Sequence, residues 1–370
     1  MQDLKYYVLW TKNSELLSDY LEKYYNKLLN DLETIKESNI DNKLSDLIWR
    51  LFNIYDNKKF ILNWDISSLI NSIRISNDST SVFKIKNEIK IFIEEWIDSE
   101  NLIQNKWIKI FWTDIKLTIN DNNPYNWDEA HPEHIVNWWV IWWWKKSEKE
   151  WLDIYEKTFI LLKNVDEWIY YELNEIITKI VPLWTAEWLH NSASYKECIW
   201  HLYLWFIIDV SKPEVNNLEA LIHESSHNKL NLIMQFDPLI LNDNQEKYYS
   251  AIRPDARHIH WVLLWYHAFA PTMYIMMKSY INWDLWTDKW WLEKIVLYYL
   301  KVKFLQKVMK KYAKFTKLWL EINEEMNYVV SKMDTLFKKL NPNKEVINSA
   351  KSKQIEHFNQ VNNNYPNLEY

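Results

Sequence analysis

Residues 213–236 read PEVNNLEALIHESSHNKLNLIMQF, and this stretch decides the architecture. Pro213 suits the first turn of a helix, where a missing N–H is no loss, and the pattern predicts one helix through Phe236. Inside it lies His223-Glu224-Ser225-Ser226-His227. Residues i and i+4 share a helix face, so His223 and His227 can bind one metal ion. Glu224 lies about 100° round the helix. In zinc hydrolases that position holds the base that activates a metal-bound water.

The third ligand separates the classes. A metzincin needs Gly and then His at the positions of Leu230 and Ile233, so that class is excluded. A thermolysin-like site would take a Glu from a following helix. Glu246 has a tolerable spacing but follows the polar run Asn242-Asp243-Asn244-Gln245. Zinc-protease helices favour an apolar residue right after the second His, and Asn228 stands there.

Further along, residues 250–261 read SAIRPDARHIHW. The chain has four arginines, Arg50, Arg74, Arg253 and Arg257, and two of them fall in this segment. Lysine serves nearly everywhere else, as AT-rich coding would dictate. A guanidinium grips a carboxylate with two parallel hydrogen bonds, which an ammonium cannot do. A structural salt bridge to Asp255 is the plainer use of either arginine. His258 and His260 follow, and either can supply a further metal ligand; Glu246 and Asp255 are carboxylate alternatives.

The composition is anomalous. There is no glycine in 370 residues, and there are 25 tryptophans. Ordinary usage of about 7% Gly would give about two dozen. UGA is read as Trp in one variant code and as Gly in another, so translation with the wrong table would produce this exchange. Asn63-Trp64-Asp65, Asn126-Trp127-Asp128 and Asn282-Trp283-Asp284 read as turns once Trp stands for Gly. Trp142-Trp143-Trp144 becomes a flexible loop. The reading assigns Gly to most Trp positions of the native protein, including Trp127, Trp138, Trp184, Trp261 and Trp265. A truly Trp-rich binder of carbohydrate or membrane interfaces leaves the missing glycine unexplained.

Length allows a large core, in one large domain or two. A net charge of −6 argues against a nucleic-acid-binding surface. Cys198 is the single cysteine, which fits a reducing cytoplasm and excludes an internal disulfide. Met1 to Trp10 lacks a basic region followed by an apolar stretch. No uncharged segment of about 18 residues occurs, so neither a signal peptide nor a membrane span is expected. The expected fold is mainly α: a multi-helix, bundle-like architecture with few short strands and the metal site on the HESSH helix. Helical patterns cover Ser14 to Ile35, Asn42 to Ile54, Val82 to Ile97, Ser147 to Ile180, Ile259 to Ile281 and much of Lys289 to Leu340. His201 to Val210 is β-prone. The segments are 1–136, an N-terminal helical region; 137–340, the HExxH region; and 341–370, a polar tail expected to fray.

The stretch LIHESSHNKLNLIMQFDPLI (221–240) with YYSAIRPDARHIHWVLLWYHAFA (248–270) resembles the HExxH-motif peptide-modification family, the α-ketoglutarate-dependent peptide β-hydroxylases. Members carry an HExxHN-x-L helix, an acidic-Pro-Leu turn, a YYS-x-x-RP-x-x-R segment and a His-Gly pair opening a helix. His260-Trp261 matches that pair with Trp261 read as Gly. Trp184, Trp188, Trp200 and Trp265 also fall where glycines are natural, and Val181 to Ser194 resembles the family's upstream polar motif. The match covers roughly Val181 to Tyr274, and His258 departs from it where Pro is expected. The resemblance implies Fe(II) held by His223, His227 and His260, with α-ketoglutarate anchored by Arg253 or Arg257. Its substrate would be a peptide, such as a ribosomally made precursor, hydroxylated at Cβ. Glu224 would then be a neighbour or weak ligand of the metal. The other readings are a zinc metallopeptidase with Glu224 as base, and a non-catalytic helical binding protein.

Overall fold

The computed structural model describes residues 15–37, 42–52, 108–118, 147–183, 201–205, 213–243, 245–282 and 289–366, with isolated positions elsewhere. The Asn-Trp-Asp turns, the 137–144 loop and most of 82–97 lie outside these residues, as do Trp127, Trp138 and Trp184. The described chain is mainly helical. It forms α1 (Glu15–Glu37), α2 (Asn42–Phe52), β1 (Ile108–Lys109), β2 (Lys116–Leu117), α3 (Glu148–Val165), α4 (Glu167–Ile176), β3 (Lys179–Leu183) and β4 (His201–Trp205). It continues as α5 (Pro213–Met234), α6 (Ile259–Asn282), α7 (Lys289–Tyr312), α8 (Lys317–Leu340) and α9 (Lys344–Asn364). None of these helices is long and apolar enough to cross a membrane. The chain divides into two compact units, one of residues 15–160 and 173–220, the other of 1–14, 161–172 and 221–370.

In the unit of residues 15–160 and 173–220, Tyr20, Tyr24, Leu28, Leu32 and Ile35 recur every three or four positions on α1 and are all buried. The sheet order is β1-β2-β3-β4, antiparallel between β1 and β2 and parallel beyond. The break expected at Val181-Pro182-Leu183 is part of β3. Pro182 is tolerated there because, among the described residues, β2 pairs only with Lys179 and Ile180, which leaves β4 as the pairing partner at Pro182. The long helical pattern from Ser147 also divides. Ser147 and Glu150 form a capping box at the start of α3. At its end Asp166 accepts a hydrogen bond from the Ile169 N–H at 3.3 Å and starts α4 afresh.

The turn between β1 and β2 bears on the tryptophan anomaly. The Thr113 N–H donates to the Ile110 carbonyl at 3.1 Å, and Trp112, third in that turn, has φ 65°. That position of a turn calls for glycine, since a Cβ clashes at positive φ. Trp112 buries little in return, being 72% exposed. Trp112→Gly is therefore expected to raise the unfolding free energy by about 1 kcal/mol, measured by denaturant titration. Peptide mass spectrometry of natively produced protein is expected to find Gly at 112; Trp there would contradict the recoding.

In the other unit, α6 is the core element: it packs on α7 and α8 and buries residues on every side. The connection from α5 to α6 is pinned to the start of α8. Asp237 accepts hydrogen bonds from the Leu239 N–H at 2.7 Å and the Thr316 hydroxyl at 2.8 Å. Thr316 in turn caps α8. Asn242 donates to the Tyr312 carbonyl and accepts from the Lys314 N–H. The polar tail expected after Asn341 is instead α9. Asn341 turns the chain in the left-handed conformation, Asn343 caps the helix, and Val346, Ala350, Gln354 and Val361 bury one face. Reading the tail by polarity overlooked this sparse stripe, whose core partner is Val296 of α7.

Candidate metal and carboxylate site

The site is built within the unit that holds residues 221–370. On α5, Ser225 and Ser226 donate to the Ile222 carbonyl and turn inward, fully buried, so the histidines fall on the other side. The Nε2 atoms of His223 and His227 are 3.0 Å apart. Two nitrogens each about 2.1 Å from one ion, at a right angle, stand about 3.0 Å apart, so the pair fits a transition-metal ion. Burial lowers His227 to about 4, which keeps the imidazole neutral as a ligand must be. Glu224 is only 5% exposed, and Asn228 and Lys229 are also buried. The Asn that fits a protease helix poorly is thus a core residue here.

Opposite the pair stands α6. The Trp265 ring lies 5.8 Å from that of His223 and 6.0 Å from that of His227, and it stacks on Phe269. Phe269 itself meets His223 at 4.6 Å. Trp265 also meets Arg253, whose guanidinium lies 5.9 Å from the ring centre. One indole therefore touches both an arginine and two potential metal ligands.

The two arginines differ in company. The loop is closed by a Tyr248–Arg257 backbone bridge, with N–H···O distances of 2.7 and 2.9 Å. Within it, Ser250 Oγ accepts from the Arg253 N–H at 3.0 Å, and Ala251 takes φ 48°. Arg257 Nε lies 2.8 Å from Asp255, an ion pair set off the line of a hydrogen bond, and its guanidinium lies over Trp261. Arg253 is exposed and has no carboxylate partner among the described residues.

The remaining expected residues are not gathered to the pair. Contacts between α5 and α6 run antiparallel, Phe269 with His223 and Trp265 with both. His260, five residues before Trp265, is about 7.5 Å further along the helix. It packs against Trp261 and is lowered by burial and by His258. The Nδ1 of His258 lies 3.1 Å from the Glu246 carbonyl oxygen, and the Glu246 carboxylate accepts from the Tyr248 hydroxyl. Among the described residues no group of three His, Cys, Asp or Glu is placed to hold a metal. No model of a known protein family matches the chain, and no curated protein matches it.

Sequence reasoning passed over the layer behind the histidines. Lys229 is buried facing Glu172 and Glu325, and burial holds its ammonium well below the usual lysine range. Nearby His267 of α6 is also buried, and burial, Lys229 and His227 push it well below the usual histidine range. Neither had a spacing signal; both depend on which helices meet. The linkage is testable. His227 and His267 stay neutral when folded, while the unfolded chain binds protons below about pH 6.5. Stability is complete above that pH and drains as pH falls toward 4. Denaturant titration at pH 5 against pH 7 is expected to show a loss of at most about 2 kcal/mol from His227. A loss reduced by His227→Gln would confirm the source.

Proposed function

We propose that the chain is an Fe(II)- and α-ketoglutarate-dependent oxygenase that hydroxylates a peptide side chain at Cβ. The observation that carries the reading is the company of Trp265: one ring in contact with both histidines of the metal-ligand pair and with Arg253, a guanidinium that has no carboxylate partner among the described residues. When bound, the metal would activate O2, one oxygen atom of which goes into succinate as α-ketoglutarate loses CO2 and the other into the hydroxyl formed at a Cβ–H bond.

The chain's own residues have separable tasks. His223 and His227 hold the ion as neutral imidazoles. His260, at the start of α6, is the third donor of the proposal. Arg253 grips the distal carboxylate of the cosubstrate with its fork, while Arg257 holds the loop through Asp255. Glu224, buried on α5, is poorly placed to act as a base on water in an open cleft, which favours an oxygenase over a zinc peptidase. A peptide, such as a ribosomally made precursor, is the proposed partner.

Lys substitution separates the arginines. Arg253→Lys is expected to raise the α-ketoglutarate concentration for half-maximal succinate formation by about tenfold or more. Arg257→Lys should leave it nearly unchanged and act on stability. The opposite ranking would move the clamp to Arg257, and no effect of either would remove it.

A further inference from the structure

The loop that carries Arg253 is fastened to the C-terminal helix. Tyr249 is buried, and its ring meets Phe304 of α7 at 5.1 Å and Phe358 of α9 at 5.0 Å. Its hydroxyl lies 2.8 Å from the Nδ1 of His357 and 3.4 Å from the Gln354 carbonyl oxygen, both on α9. A phenol both donates and accepts, so this hydroxyl is satisfied whichever nitrogen of His357 carries the proton. Lys247 adds a second contact, its ammonium 5.5 Å from the centre of the Tyr365 ring at the end of α9.

From Tyr249 the path to Arg253 is short. Ser250 is fully buried; its carbonyl accepts from the Ile252 N–H and its Oγ accepts from the Arg253 N–H at 3.0 Å. Ala251 has φ 48°, a conformation that a residue with a Cβ keeps only where its surroundings impose it. The Arg253 side chain itself is exposed and rests on Trp265. With Gly at 265 that contact is gone, and the loop backbone is left to place the guanidinium. Tyr249, Ser250, Gln354, His357 and Phe358 include no tryptophan, so the hold is the same whichever way UGA is read.

We propose that Tyr249 is a positioning residue for Arg253: bonded to His357 and packed on Phe358, it fastens the loop to α9 and fixes where the guanidinium is presented. This rests on the reading of Arg253 as the carboxylate clamp. A fork that must meet both oxygens of a carboxylate tolerates little play, and a loop ordered in advance lowers the cost of binding. Tyr249 takes no part in the chemistry. The role also gives α9 a task at the site, through a helix that contributes no metal ligand or clamp.

The first test is amide hydrogen exchange on the full-length chain without metal or cosubstrate. Tyr249→Phe and His357→Leu are expected to speed exchange of the Arg253 and Arg257 amides by about fivefold relative to those of α5 and α8. His357→Asn, which can place a polar atom near the position of Nδ1, should restore the protection. Unchanged loop exchange, or a rise shared equally by α5 and α8, overturns the inference. The second test uses the glycine-restored chain with Fe(II) and O2. Tyr249→Phe should raise the α-ketoglutarate concentration for half-maximal succinate formation by about fivefold, while the rate at saturation moves by less than about twofold. Succinate formation with that concentration unmoved overturns the inference and leaves the oxygenase standing. A loosened loop in Tyr249→Phe, with no succinate from any form of the chain, upholds the hold on the loop and refutes the oxygenase.

Discussion

The His223→Ala/His227→Ala variant is expected to retain no stoichiometric metal, and each single variant to lose affinity by about 100-fold or more. The ground is geometric: two neutral imidazoles on one helix face, Nε2 atoms 3.0 Å apart, are the donors the structure brings together. Loss of one leaves a single imidazole, which does not hold a divalent ion against water. The substitutions should spare the helix, because both rings are only partly buried and alanine favours helix. Metal content after desalting, read beside circular dichroism, separates the outcomes. Full metal retention by the double variant would remove the site.

Trp265→Gly, alone and with Trp261→Gly, is expected to move stability and activity in opposite directions. Glycine inside α6 costs about 1 kcal/mol in helix propensity. The indole's contacts with His223, His227, Phe269 and Arg253 are lost as well. The melting temperature should therefore fall. Yet the same indole lies against both histidines and Arg253, and on the proposed reading a metal-bound dicarboxylate would take its place. Binding of α-ketoglutarate by calorimetry should rise from undetectable to measurable once it is gone. If Trp265 is only a core residue, stability falls while binding stays undetectable, and the slot does not exist.

What the sequence made legible follows the strength of local signals. The helix expected over Pro213 to Phe236 is found as Pro213–Met234, and that expected from Ile259 to Ile281 as Ile259–Asn282. Both carry long apolar periodicity with a turn-rich loop between them. β3 differs from the expected break because Pro182 reads as a breaker until β4 is known to pair along it. α9 was missed because four buried positions in 21 residues give a faint stripe. At the site, the i, i+4 histidines singled out by spacing stand with their Nε2 atoms 3.0 Å apart, and Arg253, one of the four arginines, lies over Trp265 beside them. The sequence did not separate Arg253 from Arg257, because the difference lies in what each guanidinium faces: Trp265 for one, Asp255 and Trp261 for the other. The Lys229 layer depends wholly on which helices meet, and no spacing within one helix encodes that.

The central claim is that the histidine pair serves an oxidation and not a hydrolysis. The most direct measurement is succinate formation by the glycine-restored chain given α-ketoglutarate, O2 and Fe(II), with and without a cognate peptide. The account predicts succinate that depends on all three, is stimulated by peptide, and is abolished by His223→Ala. Peptide cleavage with Zn(II), lost in Glu224→Gln, and no succinate with Fe(II) would contradict it.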